Sequence, residues 1–275
     1  MAPFSTRAPH APLPVREAPA LRRHAGRRFL VTGAAGGVGL ATAARLTREG
    51  AKVAMADIRA DLLANEARRL EGAIALPVDV GDRASVAEAV RAAESGLGGI
   101  DGLVNCAAIF VHADPLATDM TDWERLFRVN LFGAYEMCRL VAKTMMKAKL
   151  RGAIVNVASQ AGKKGHAEAL AYSASKAALI NMTRTLSAAL APCDINVNCV
   201  CPGGVATDML REVAIAYGQL IDSAPAEVFE KLISGQLQRH VEPDEVARTI
   251  SFLLGDEAHV IRGQALNADG GDAPY

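Results

Sequence analysis

The sequence has no surplus of charge: 30 lysines and arginines are matched by 30 aspartates and glutamates. Such a chain presents no basic field to nucleic acid or to an anionic membrane surface. It has no unbroken apolar run long enough to span a bilayer. Its five cysteines are odd in number and irregularly spaced, so they do not form a disulfide framework and fit a reducing compartment. Cys199 and Cys201, two apart, would face the same side of a strand. No matching His/Cys cluster accompanies them, and no metal site is expected. Internal repeats are also missing.

What is present is ample apolar material. The chain has 275 residues, 51% of them hydrophobic, enough for one large α/β domain or two small ones. Residues 1–28 stand apart, with five prolines, several arginines and a single acid, Glu17. Proline breaks both helix and strand ladder, so this stretch reads as a disordered N-terminal extension. Its prolines do not suit the amphipathic helix of a transit peptide, and it has no apolar core of a secretory signal. A cytoplasmic protein is expected, with its folded domain spanning 29–275.

From Phe29 onward, strand-length apolar segments alternate with helical ones. Phe29-Leu30-Val31 runs into Thr32-Gly33-Ala34-Ala35-Gly36-Gly37-Val38-Gly39, followed by a helix over about 38–49. A glycine-rich strand-to-helix turn lets backbone N–H groups approach a phosphate, and the helix N-terminus adds a favourable dipole. The next strand, 51–56, ends at Asp57, eighteen positions beyond Gly39. A carboxylate there can accept hydrogen bonds from both hydroxyls of an adenosine ribose and would repel a 2′-phosphate. It can equally cap the helix beginning near Arg59, and Arg59 itself can serve a 2′-phosphate.

Further strands are expected at 73–78 (ending at Asp79-Val80), 100–104 (ending in Asn105-Cys106-Ala107-Ala108), 152–158, 195–201 and 264–267. A long helical pattern over 122–149 contains Asn130. Strands alternating with helices predict a parallel sheet with right-handed crossovers, a doubly wound α/β fold. Ligands bind such sheets at the carboxyl ends of the strands. The glycine turn, Asp57, Asp79, Asn105, Ser159 and Pro202 all fall there. Residues 207–242 leave the alternation and carry apolar residues at helical intervals, which suits a small helical lid over about 208–242 or plain core packing.

Ser159 is followed by Tyr172 and Lys176, spaced four apart on a helix predicted over 171–190, and so on one face. A phenol, with a reference pKa of about 10, is a poor base near neutrality. A neighbouring cation favours the phenolate, and a nearby hydroxyl can hold a substrate oxygen while the phenol exchanges its proton. A Tyr-x-x-x-Lys pair alone is common by accident; its weight here comes from the company it keeps.

Taken together, these motifs resemble the short-chain dehydrogenase/reductase family in its NAD-dependent, single-domain Rossmann form, from Phe29 to about Gly271. The family's TGxxxGxG is Thr32 to Gly39, its NNAG is Asn105-Cys106-Ala107-Ala108, and its catalytic set is Asn130, Ser159, Tyr172 and Lys176. Its PG motif is Pro202-Gly203, with Val205 and Thr207 downstream. The resemblance implies that Gly33, Gly37 and Gly39, with Gly36 and Val38, shape a pyrophosphate loop. It places Asp57 and Ile58 at the adenosine ribose, and Asp79 and Val80 at the adenine. Asn105 and Ala107 would lie at the cofactor edge, and Pro202, Gly203, Val205 and Thr207 near the nicotinamide amide. Tyr172 would be the general acid/base, Lys176 would bind the nicotinamide ribose and depress the Tyr172 pKa, Ser159 would orient the substrate oxygen, and Asn130 would hold a water behind Lys176. Two departures stand out: Cys106 and Ala108 replace Asn and Gly, and Glu242 replaces the usual Thr or Ser cap before Pro243.

The expected activity is interconversion of a secondary alcohol, of the polyol or sugar class, and its ketone, with NAD rather than NADP. An NADPH-dependent ketone or 3-oxoacyl reductase is the alternative, and a non-catalytic nucleotide-binding protein is a reading of another class. Gln160, His166 and Glu168 can hydrogen-bond a polyhydroxylated ligand or stand as solvated loop residues. A lid rich in Leu, Ile, Val and Met suits a more apolar substrate. The resemblance also implies a homotetramer built on the helices over 122–149 and 171–190.

Overall fold

The computed structural model describes residues 22–111, 113 and 115–273. The chain begins with β1 (Arg28–Thr32), α1 (Gly37–Arg48), β2 (Lys52–Asp57), α2 (Ala60–Ala67), β3 (Ile74–Pro77), α3 (Arg83–Leu97) and β4 (Gly102–Asn105). It continues with α4 (Met120–Phe127), α5 (Ala134–Lys147), β5 (Gly152–Val157), α6 (Ala161–Lys164), α7 (Leu170–Leu190) and β6 (Ile195–Pro202). Last come α8 (Asp208–Ile221), α9 (Pro225–Lys231), α10 (Pro243–Leu254) and β7 (Ala265–Ala268).

Strands such as RFLVT, GAIVNV and INVNCVCP are buried along almost their whole length. That is the mark of parallel strands covered on both faces. The sheet order is β3-β2-β1-β4-β5-β6-β7, every neighbour parallel. Alternate residues of β1 divide between two layers. Phe29 and Val31 join Ala43 and Leu46 of α1 and Val246, Ile250 and Leu254 of α10. Leu30 packs with Val86, Val90 and Ala93 of α3 and Met137, Val141 and Met145 of α5. The chain winds from β1 outward to β3, then returns to place β4 on the other side of β1, with Thr32 opposite Asn105. A crevice opens at that switch, at the carboxyl ends of the strands.

Helix ends follow local chemistry. The Asp82 carboxylate accepts from Ser85 N (2.9 Å) to start α3, and Gly98 closes it in a left-handed conformation. Pro243 takes the first position of α10. Glu242 is the cap residue there, and the start is secured by Glu245, whose carboxylate accepts from Glu242 N at 2.9 Å.

Two expectations need correction. The folded region does not begin at Phe29: β1 starts at Arg28, and residues 22–27 form a packed turn. His24 is fully buried there. Its Nε2 lies 3.1 Å from both the backbone oxygen and the hydroxyl of Ser251, its ring edge meets Phe29, and Arg27 donates to the Leu254 carbonyl. Tertiary partners on α1 and α10 order a segment whose local composition would not. The rest of the expected extension, 1–21, lies outside the described residues. The helix expected over 122–149 runs unbroken over 120–147, but it is not α-helical throughout. Between α4 and α5, residues Arg128–Gly133 make a π-helical turn. Asn130 is tied there to Ile109, donating to its carbonyl (3.0 Å) and accepting from its N–H (2.9 Å). A Cβ on Gly133 would stand 2.5 Å from the Val80 carbonyl, so the widened turn sits hard against the strand-end loop.

Candidate active site

One cleft of about 780 Å³ runs along the carboxyl ends of the strands. Gly33, Gly36, Gly37, Val38 and Gly39 from the first turn line it, as do Asp57 and Ile58 from β2 and Asp79 and Val80 beyond β3. Ala107, Ser159, Tyr172, Lys176, Pro202, Gly203, Val205 and Thr207 complete the predicted set that faces it. Asn105 and Asn130 do not line it. The buried Asn105 amide is spent on Asn156 Oδ1 (2.9 Å) and the Ala134 carbonyl (3.3 Å), bracing β4 against β5 and α5. Asn130 is spent on Ile109 and on Ser175 Oγ (3.2 Å).

The first turn is shaped for close approach. A Cβ on Gly33, where φ is +65°, would lie 2.7 Å from Ala107 N, and one on Gly39 would collide with the Gly33 carbonyl. The turn can therefore be built only from glycine at these positions, and it leaves the start of α1 facing the cleft. Asp57, buried at the end of β2, accepts from Ala35 N (3.0 Å) and Arg59 N (3.0 Å) and pairs with the Arg59 guanidinium (3.2 Å). Burial raises its carboxyl, but the hydrogen bonds from Arg59 and Ala35 outweigh that and hold it below the usual carboxylate range. The Arg59 guanidinium lies over Gly36. Ile58, 67% exposed, offers an apolar surface at the same end of the cleft. A glycine cradle, a ribose-height carboxylate and an apolar rim fit a dinucleotide.

At the other end, Tyr172 projects from the first turn of α7 beside Ser159, which follows β5. Burial pushes the phenol up to about 12, against a hydrogen bond with Ser159 that lowers it. Burial brings the Lys176 ammonium down to about 8. Lys176 Nζ donates to the Val157 carbonyl (2.9 Å) and stands 5.6 Å from the centre of the Tyr172 ring. For the phenol, desolvation outweighs the hydrogen bond from Ser159. Ser175, which the sequence reading passed over, links the set. Its hydroxyl donates to the Tyr172 carbonyl (2.7 Å) and accepts from Asn130. Phe110 was also missed; its ring packs at 4.7 Å on that of Tyr172. An aromatic three residues beyond Ala107 was the available signal.

The substrate end is walled by Met209, Leu210 and Val213 of α8, by Leu232 just beyond α9, and by Gln160, His166 and Glu168 after β5. Lys164 closes one rim against Asp272 (3.0 Å). No group of three His, Cys, Asp or Glu side chains placed to hold a metal occurs among the described residues. No helix among them is long and apolar enough to cross a membrane.

A glycine cradle for a dinucleotide and a Ser–Tyr–Lys cluster at one strand edge define an oxidoreductase of alcohol and carbonyl groups. Comparison with known proteins agrees: the family model of the short chain dehydrogenases matches residues 27–217, and the chain belongs to that family. The galactitol 2-dehydrogenase of Agrobacterium fabrum is 36% identical over 245 residues, covering 88% of this chain and 96% of that protein. The 3-oxoacyl-[acyl-carrier-protein] reductase of Thermotoga maritima is 36% identical over 251 residues, covering 90% and 97%. Among solved structures, a variant actinorhodin polyketide ketoreductase with NADPH matches with a TM-score of 0.87 at 32% identity, covering 92% of this chain and 99% of that one.

Proposed function

We propose that the protein is an NAD-dependent dehydrogenase of secondary alcohols in the polyol class, with Tyr172 as its general acid/base. The observation that carries this reading is the meeting of Ser159, Tyr172 and Lys176 in the cleft that the glycine turn and Asp57 also line. When bound, the nicotinamide supplies the centre that accepts or returns the hydride. The chain's own residues do the rest. The Ser159 hydroxyl donates to the substrate oxygen, and the Tyr172 hydroxyl gives up or takes back the proton on it. Raised to about 12, that phenol is protonated near neutrality, so it stands ready to donate to a ketone and must be deprotonated to accept from an alcohol. Lys176, anchored on the Val157 carbonyl, holds the dinucleotide ribose and places a positive charge under the ring. Asn130 keeps the π-helical turn in place through Ile109 and Ser175, so any water it holds behind Lys176 bonds to its backbone. Phe110 covers the phenol and excludes water from one side.

Asp57 supports NAD, because its carboxylate stands where the adenosine ribose hydroxyls would be received and would repel a 2′-phosphate. Arg59 supports a second reading, an NADPH-dependent ketone reductase. Its guanidinium is half exposed beside Asp57 and can turn from that carboxylate to a 2′-phosphate. The relatives divide in the same way, between polyol dehydrogenases and oxoacyl or polyketide reductases. The deciding experiment is reduction of NAD and of NADP by the purified protein across polyols, sugars and small secondary alcohols, beside Tyr172→Phe. NAD-linked turnover lost in the variant, with NAD binding retained, supports the proposal. Preference for NADP, with ketones reduced faster than polyols are oxidised, replaces it with the second reading. The tetramer implied by the family is supported by Phe132 (58% exposed) in the π-helical turn and Tyr135 (45%) at the start of α5, which offer apolar surface; light scattering at micromolar concentration tests it.

A further inference from the structure

We propose that Gln160 reads a second hydroxyl on the carbon next to the reacting one, making the preferred substrate a vicinal diol. The inference rests on the dehydrogenase reading and narrows it. Gln160 directly follows Ser159 and lines the same cleft. Its backbone is fixed at both polar groups: the N–H donates to the Pro202 carbonyl (3.0 Å), and its carbonyl accepts from Lys163 N (2.9 Å) and Lys164 N (3.0 Å). Its side chain is not. No described residue hydrogen-bonds to the amide, and Oε1 is buried without a partner. A buried acceptor in that state is costly, and a native site holds one where something else completes it.

The two lysines that follow in the short helix α6 are already engaged by the protein. Lys163 Nζ bonds to the Ala265 carbonyl (2.8 Å) and Asn267 Oδ1 (2.5 Å), and Lys164 to Asp272. Across the cleft, Met209, Leu210 and Val213 are apolar. A ligand held between them has one polar edge and one apolar edge. Gln160 shares the wall of the cleft with Ser159 and Tyr172, which hold the reacting oxygen, and so offers an amide to an oxygen on the adjacent carbon. A small rotation of the amide turns its polar end to that hydroxyl. An amide both donates and accepts, as a hydroxyl does, so the match holds whichever way the group is flipped.

The test compares propane-1,2-diol with butan-2-ol, which carries a methyl group where the diol carries its second hydroxyl. Both are run with the wild type, Gln160→Leu and Gln160→Glu, with thermal midpoints measured to confirm folding. The wild type is expected to favour the diol by about tenfold or more in kcat/KM. Gln160→Leu should erase that preference, with kcat/KM falling further for the diol than for butan-2-ol. Gln160→Glu, which keeps an acceptor, should retain part of the preference. An unchanged preference in Gln160→Leu, or none in the wild type, overturns the assignment and leaves the dehydrogenase reading standing. Failure of the wild type to oxidise either alcohol or any polyol, with either dinucleotide, overturns both.

Discussion

His24 should make the protein acid-sensitive well above the carboxylate range. Its imidazole is enclosed between α1 and α10, with Nε2 against Ser251 and Nδ1 buried without a partner. Burial, with help from Arg27 and Arg23 and against the pull of Glu49, lowers its pKa from 6.5 to about 4. Below pH 6.5 the unfolded chain takes up a proton that the folded His24 refuses until about pH 4, so stability is lost as pH falls through that window. Each tenfold change in proton affinity is worth about 1.4 kcal/mol. Between pH 7.5 and pH 5 the loss from this one group comes to about 2 kcal/mol, a sizeable share of a typical folding free energy of about 5–15 kcal/mol. The assay is urea unfolding of the wild type and His24→Gln at both pH values and one protein concentration. Glutamine can keep the hydrogen bond to Ser251 but cannot titrate. The wild type should lose about 2 kcal/mol more than the variant on acidification. The same pH dependence in both proteins would refute the reasoning and return residues 22–27 to a peripheral role.

Two further outcomes are expected. Gly39→Ala places a methyl group against the Gly33 carbonyl, and should weaken dinucleotide binding by about a hundredfold in calorimetry, since an opened turn loses several backbone contacts at about 1 kcal/mol each; unchanged affinity would show that the turn yields at no cost. With Tyr172 pushed up to about 12, kcat/KM for alcohol oxidation should climb with pH from 7 through 9, because the base form of the free enzyme is still scarce there. A plateau already reached below pH 7 would contradict that assignment.

Much of this arrangement is legible in the sequence. The alternation of apolar strands and amphipathic helices has a period that reports burial directly, and so the parallel sheet is visible before any coordinates are. Gly33 to Gly39, Asp57, Ser159, Tyr172 and Lys176 share the cleft because strand ends share an edge. What escaped has a common cause: it depends on partners remote in the chain. His24 is ordered by Ser251, 227 positions away, and nothing local announces it. The π-helical turn at Asn130 repeats hydrophobic residues much as an α-helix does, so periodicity cannot separate the two. Glu242 looks like a weak cap until Glu245 is seen to reach back to its N–H. Arg59 was legible as a residue near the ribose site, but its hold on Asp57 is a matter of side-chain conformation.

The packing of α1 against α10 has a consequence for how the chain comes into being. The layer beneath β1 and β2 joins Ala43 and Leu46 to Val246, Ile250 and Leu254, and His24 to Ser251. On the ribosome, the first of these partners emerge some two hundred residues before the second. Until α10 leaves the exit tunnel, the β1–β2 half of the sheet is covered on that face by α1 and α2 alone. The nascent protein therefore carries an incomplete layer over Phe29, Val31 and Val53 for nearly all of its synthesis, a long interval in which a chaperone or a neighbouring chain can reach the apolar surface that α10 later covers.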